Sequence, residues 1–267
     1  MDSCVRHGCL MALLMLGLAG QHCLVAQTPA YRPADLVNAA SGAPGPLAPG
    51  TVATLFGTGL AYTTRQQTAD DNTGNFLPVL LPGTGVRVFF NNQPAHLYYV
   101  SPTQINFVIP VNLAAGKAEL DVLLDGRRGP TVAVTLETEA PEFFLGEGRF
   151  IAATNAANQP LTPDRPAQPG DVVVLYATGL GRTIPSLMAG QLASQATSIA
   201  RLAEFRVQID GRLVEAESIL YAGLSPGFAG LYQVNVRIPS DAPADPEVRM
   251  GFGSISSQSG TRLRLRR

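Results

Sequence analysis

Downstream of residue 27, apolar residues fall in short runs bounded by Gly, Pro, Asn or Asp. Runs of that length, rich in β-branched residues, predict strands rather than helices. One such pattern occurs twice, as APGTVATLFGTGLA over 48–61 and QPGDVVVLYATGLG over 168–181. In each, Pro-Gly punctuates a turn, the apolar run predicts a buried strand, and Thr-Gly-Leu ends it. Gly59 and Gly179 hold the same place in the two copies, where glycine permits a positive φ or a close backbone approach. Two copies far apart in one chain predict two similar domains.

The rest of the pattern repeats in the same order. Asn-Ala-Ala stands upstream of each copy, at Asn38 and Asn155, and a long polar or mixed segment follows each, 61–85 and 182–203. Segments of that length are expected to be functional or flexible; the second has spacing for a short helix through Leu192, Ala196, Ile199 and Ala203. Next come hairpins, 86–90 turning at Asn91-Asn92 into 95–100, and 205–209 turning at Asp210-Gly211 into 213–221. Asn and Gly tolerate the positive φ such turns require. Ser-Pro loops (Ser101-Pro102, Ser225-Pro226) lead into QINFVIP at 104–110 and QVNVRIP at 233–239. Each copy closes on a further hairpin: 117–124 turns at Asp125-Gly126 into 130–137, and 247–252 is followed by 254–265. In the last strand Leu263 and Leu265 are expected inward, with Arg262, Arg264 and Arg266 outward. The fold class is all-β, two tandem immunoglobulin-like antiparallel β-sandwich domains at 31–138 and 140–267. The boundary is placed near Glu139-Ala140-Pro141, because Pro restricts the residue before it. Halves joined there are expected to unfold independently unless their interface is large and apolar.

The first 26 residues read as a signal peptide. Arg6 supplies the positive region, 9–20 is apolar but too short to span a bilayer, and Ala26 closes a cleavage site that leaves Gln27 first. The alternatives are a retained anchor, or a lipoprotein at Cys23, where Gln21 and His22 stand in place of small residues. An exported product is secreted, periplasmic or held at the cell surface, with no membrane span after cleavage. Cys4, Cys9 and Cys23 all lie in this segment, so the mature chain has neither a disulfide nor a thiolate zinc site. His96 is then the only histidine of the mature chain, and Lys117 is the only lysine anywhere. The composition, 46% hydrophobic and 15% charged, supplies ample core. A net charge of −1 gives no field to attract nucleic acid.

The run NAAS … APGTVATLFGTGLA … YYVSPTQINFVIP, then QPGDVVVLYATGLG … YAGLSPGFAGLYQVNVRIP, resembles the Solibacter-type uncharacterised C-terminal domain family of exported acidobacterial proteins. The Phe-Gly-Thr-Gly-Leu pattern also resembles IPT/TIG domains, an immunoglobulin-like group. The resemblance covers the chain from about residue 34 onward. It implies a sandwich fold and export, and it brings no activity or catalytic residues with it.

Chemistry-bearing constellations are few. Gly223-Leu224-Ser225-Pro226-Gly227 matches G-x-S-x-G, but the residue after the serine must donate an N–H to the oxyanion and Pro226 has none. Gly57-Thr58-Gly59 lacks the third glycine of a dinucleotide fingerprint, since Tyr62 stands there. Asp70, Asp71, Asn72 and Asn75 gather oxygens in one loop, at a spacing that fits no EF-hand. The amide pairs Gln104/Asn106 and Gln233/Asn235 each share a strand face and can read a sugar or peptide; satisfying backbone groups of the Ser-Pro loop is the plainer role. Tyr98, Tyr99, Tyr221 and Tyr232 can stack on a ligand or pack in core and edge, and the lack of Trp weakens a carbohydrate reading. The terminal RLRLRR is read as outward arginines that discourage edge-to-edge pairing. No catalytic, cofactor-binding or metal residue is nominated, and no cofactor. The expected function is an exported, non-catalytic binding or adhesion module for an unknown protein or glycan partner at the cell surface, with no nucleic-acid partner. The alternatives are a secreted hydrolase using a carboxylate pair, for which no pair presents itself, and a purely structural spacer.

Overall fold

The computed structural model describes residues 27–266. The signal segment, its cleavage site and all three cysteines lie outside the described residues. The first half holds β1 (Leu36–Asn38), β2 (Val52–Phe56), β3 (Arg65–Gln66), β4 (Val86–Phe90), β5 (Gln93–Pro94), β6 (His96–Val100), β7 (Gln104–Val108), β8 (Gly116–Leu124), β9 (Arg127–Arg128) and β10 (Val132–Leu136). One sheet runs β1-β2-β7-β6-β3 and the other β10-β8-β4-β5, with β9 paired to β8. The second half holds β11 (Glu142–Phe143), β12 (Ala153–Asn155), β13 (Val172–Thr178), β14 (Thr183–Ile184), β15 (Thr197–Ile199), β16 (Phe205–Ile209), β17 (Arg212–Leu213), β18 (Ile219–Leu224), β19 (Tyr232–Arg237), β20 (Val248–Phe252) and β21 (Ile255–Ser256). Its sheets run β11-β13-β19-β18-β15-β14, with β12 also on β13, and β17-β16-β20-β21. All named strand pairs are antiparallel. The chain is thus all-β, in the immunoglobulin-like sandwich class. One apolar core fills the first half, around Leu55, Phe90 and Phe107, and another the second, around Leu175, Phe205 and Val234.

The repeated motifs fold alike because each supplies the same hydrogen bonds. Gly50 and Gly170 have φ of +82° and +90°, so Pro49-Gly50 and Pro169-Gly170 form the tight turn that a Pro-Gly pair favours. The next side chain closes it: Thr51 Oγ1 accepts from Ala48 N (3.1 Å) and Asp171 Oδ2 from Gln168 N (2.9 Å). The Asn-Ala-Ala motif ends the strand beside the central one. Asn38 Oδ1 accepts from Ala40 N and Asn155 Oδ1 from Ala157 N, both at 3.0 Å, as asparagine does at turns. After the central strand, Gly59 and Gly179 take φ of +66° and +76°. The entering chain lies across each. A Cβ on Gly59 would fall 2.9 Å from Thr28 O, and one on Gly179 only 1.9 Å from Ala140 O.

Three sequence expectations change in the fold. The turns at Asn91-Asn92 and Asp210-Gly211 have the expected positive φ, yet neither hairpin continues. β4 and β6 lie in different sheets, as do β16 and β18. Only a two-residue return pairs back before the chain crosses over, so each sandwich is closed by a strand that switches sheets. The helical spacing at Leu192–Ala203 does not become an α-helix: β15 and a 3₁₀ turn at Leu202–Glu204 occupy it. Leu263 and Leu265 are buried as expected, but the terminal run is held by isolated parallel bridges to Phe150 and Ala167 rather than by a sheet edge. Arg264 is drawn inward, paired with Glu147 at 2.6 Å and over the Phe150 ring at 3.9 Å.

Candidate functional site at the seam between the sandwiches

A third apolar cluster belongs to neither core. Val52, Leu77 and Val108 of the first half meet Ala229 of the second, with Tyr98, Phe144 and Leu192 packed against them. Hydrogen bonds cross the same seam. Thr178 Oγ1 accepts from Val52 N (2.9 Å) and donates to Gly230 O (2.8 Å). Tyr98, the extra residue of a β-bulge between Leu97 and Tyr99, reaches over so that its hydroxyl donates to Ala229 O (2.8 Å) and accepts from Ala229 N (3.1 Å). Burial pushes that hydroxyl's pKa up to about 12. The two long polar segments lie against each other: Leu77 N donates to Gly190 O (2.9 Å) and Leu192 N to Asn75 O (2.8 Å). They are ordered, and each supplies the other's missing backbone partner.

Gly190 is required at this crossing. A Cβ there would sit 2.1 Å from the His96 ring. Burial lowers the pKa of His96, and its Nδ1 is buried with no partner. The linker is tied as well, by Arg201 Nη1 to Glu139 at 2.7 Å.

The other nominated residues fall on outer sheet faces or in core. Gln104 Nε2 (2.8 Å) and Thr54 Oγ1 (3.1 Å) both donate to Asn106 Oδ1. Tyr99 stands half-buried opposite Asn106, and Tyr221 stands opposite Asn235 at the equivalent register. Tyr221 accepts from Thr197 N and donates to Leu224 O, both at 2.8 Å. Gln233 Oε1 accepts from Ser225 Oγ at 3.1 Å, and no helix follows that serine. Asn235 Oδ1 is buried and unpartnered. Tyr232 is 2% exposed and its hydroxyl donates to Gly181 O. In the acidic loop, Asp71 pairs with Arg65 (2.5 Å) and accepts from Thr68 N (2.8 Å), while Asn72 Oδ1 accepts from Gln67 Nε2 (2.8 Å). Those oxygens are engaged within the loop. Among the described residues no three His, Cys, Asp or Glu side chains converge. Tyr98 therefore lies in the seam cluster and Tyr232 in the second core, where it also lines a seam crevice, whereas the amide pairs stay apart, one on each sandwich.

Two crevices run along the seam, each of about 290 Å³, and they share Gly181 and Arg182. Val108, Val111 and Asn112 of the first half face Leu187, Met188 and Gln191 of the second across one opening. Leu113 and Ala114 face Leu180 and Arg201 across the other. Met188 and Ile184 beside it are exposed large apolar residues, at 63% and 68%. Arg182 and Gln191 lie in the long segment 182–203 expected to be functional or flexible, whereas Val111 and Asn112 carry no signal in the sequence. The four come together only because the halves dock.

No family model matches the chain, and no curated protein sequence matches it. Among solved structures it is similar to a surface glycan-binding protein of Prevotella bryantii, at 12% identity over 88% of this chain and 42% of that one, TM-score 0.27. It is similar also to SGBP-B of the mixed-linkage glucan utilization locus of Bacteroides ovatus, determined with a heptasaccharide, at 10% identity over 90% and 47%, TM-score 0.37. The tandem Ig repeats of Dlar align at 11% identity over 90% and 95%, TM-score 0.22. The chain spans less than half the length of the first two. Likeness at this level carries nothing about ligand or partner to this chain. Its own strands and cores define its class, a tandem immunoglobulin-like β-sandwich protein with a closed, hydrogen-bonded seam. Among the described residues no helix is long and apolar enough to cross a membrane.

Proposed function

We propose that the chain is an exported, non-catalytic binding module, acting at the cell surface or in the periplasm, whose ligand seats in the seam between its sandwiches. The carrying observation is the pair of crevices joined at Arg182, walled by both halves and held in shape by the ties of Thr178, Tyr98 and Leu77. Concave sites between domains, largely preformed and mostly apolar with a few polar groups, are the usual form of a ligand site. The partner is a small molecule or an exposed part of a protein or glycan. The spacer reading draws on the same weld, since a rigid junction also suits a module that only positions a neighbour.

The exported protein, and a Ser186→Trp variant that fills the crevice between Val111 and Met188 from its exposed rim, would be applied to a glycan array and to a library of small metabolites with thermal-shift readout. The expected result is a ligand held by the parent and lost in the variant. Equal retention by both would move the site away from the seam, and no ligand for either would leave the spacer.

A further inference from the structure

The chemistry of the crevice between Val111 and Met188 narrows what it accepts, on the reading that the seam is the binding site. Its walls are Val108, Val111, Leu187, Met188 and Leu224, an apolar surface that favours an apolar body of similar size. The polar groups among them are largely engaged already. Thr183 Oγ1 donates to Pro185 O (2.9 Å), Ser186 Oγ to Thr183 O (3.3 Å) and Asn112 Nδ2 to Gln93 Oε1 (2.6 Å). Gln191 Oε1 accepts from Met188 N at 3.0 Å. What is left to a ligand is the acceptor lone pairs of Thr183, Ser186 and Asn112 and, as donors, the Gln191 amide N–H groups and the whole guanidinium of Arg182, the charged group of this lining, which has no hydrogen-bond or ion-pair partner among the described residues.

Charge points the same way. No carboxylate lines this crevice. The neighbouring cation, Arg201, is neutralised by Glu139 at 2.7 Å and by Glu204, so Arg182 is the uncompensated charge where the two crevices join. A guanidinium of that kind pairs best with a carboxylate or a related oxyanion. A neutral sugar fits poorly. Its ring needs an open aromatic face, whereas Tyr232, the aromatic side chain of this crevice, is 2% exposed.

We propose that the seam binds a small amphipathic anion, an apolar ring or short acyl body carrying one carboxylate or sulfonate, with the anionic group on Arg182 and the apolar body between Val111 and Met188. Arg182 is the specificity-determining residue and the Gln191 amide its companion donor.

The test is a fluorescence titration of the exported protein with 8-anilinonaphthalene-1-sulfonate. The uncharged N-phenyl-1-naphthylamine serves as its neutral counterpart, with decanoate and decanol as competitors. Parent, Arg182→Gln, Ser186→Trp and Arg87→Gln are compared, the last removing an exposed arginine far from the seam. The expected result is one saturable site for the sulfonate, displaced by decanoate and not by decanol. Arg182→Gln should weaken it roughly tenfold or more, the range for a hydrogen bond to a charged group, while the neutral probe and Arg87→Gln show no change. If Arg182→Gln leaves sulfonate binding as in the parent but Ser186→Trp abolishes it, the anion inference is overturned and the seam remains the site. If neither variant changes it, or no sulfonate binds, the anion inference fails. A neutral ligand lost on Ser186→Trp would then still uphold the seam.

Discussion

The two halves contain the same strand motifs and use them in opposite ways. Thr58 and Thr178 stand at the same place in Thr-Gly-Leu, yet Thr58 is exposed and Thr178 is fully buried in the seam. Tyr98 and Leu220 occupy the same bulge, one clasped to Ala229 and the other 50% exposed. Val108 lies under the second sandwich, whereas its counterpart Arg237 faces outward. The asymmetry has a source in loop length. One residue separates Pro102 from Gln104, but six separate Pro226 from Gln233, and that longer loop carries Ala229 and Gly230 into the seam. A strand motif thus dictates the shape of a sandwich end, and a local insertion decides whether that end becomes surface or interface.

The two halves are expected to differ most at the glycines. Gly59→Val and Gly179→Val both place a β-branched residue at positive φ and press a Cβ onto backbone, at 2.9 Å from Thr28 O and at 1.9 Å from Ala140 O. The overlap is far deeper at Gly179. Urea unfolding is expected to show a loss of about 3–4 kcal/mol for Gly179→Val and about 1–2 for Gly59→Val; equal losses would mean that the entering chain plays the same part in both halves. The threonines come next. Thr178→Val strands Val52 N and Gly230 O and should cost about 2–3 kcal/mol, while Thr58→Val stays within about 0.5. Because the seam contains an apolar cluster and several cross-half hydrogen bonds, urea should give one transition for both halves, contrary to the independence expected of a simple linker. Two resolved transitions in the parent would show the seam to be weak.

A smaller effect distinguishes the two entering strands by pH. Glu142 pairs opposite Thr178 as Ala30 does opposite Thr58, so a buried carboxyl stands where the first half has an exposed alanine. Burial raises the Glu142 pKa from 4.5 to about 7, against the opposing N–H of Gln258 and charge of Arg249. The folded state therefore prefers the protonated form. Its contribution is complete below the unfolded value and is lost as pH rises through the folded one. Glu142→Gln should accordingly gain about 1–2 kcal/mol on the parent near pH 8 and nothing near pH 4. A gain that is equal at both ends, read by thermal melting, would refute this. His96 works in the other direction: its lowered pKa makes the fold lose stability as pH falls below 6.5, in parent and variant alike, so the difference between them isolates Glu142. Last, Tyr98→Phe should cost about 1 kcal/mol by leaving the Ala229 backbone groups unpaired, and Leu220→Ser should cost almost nothing. A large loss for Leu220→Ser would mean that the second bulge also carries an interface.

Sequence alone determined the strand grammar, because its causes are local. Pro-Gly, Asn-Asn and Asp-Gly set turn dihedrals within four residues, Asn38 and Asn155 bond within two, and alternation places Leu263 and Leu265 inward whatever holds them. It also marked Gly59 and Gly179 as places of positive φ or close backbone approach, since glycine has no Cβ to strain or clash there. Only the tertiary structure decided which strand switched sheets, where Tyr98 and Tyr232 came to rest, and that the long segments 61–85 and 182–203 met. The crevice at Arg182 belongs to the same group. The sheet switch rests on strand pairings such as Val86 with Leu124 and Phe205 with Phe252, and the other outcomes on contacts between residues more than fifty positions apart, as between Val52 and Thr178 or Asn75 and Leu192. Such contacts follow from which surfaces two finished sandwiches can bury together, and no short window of sequence encodes that sum.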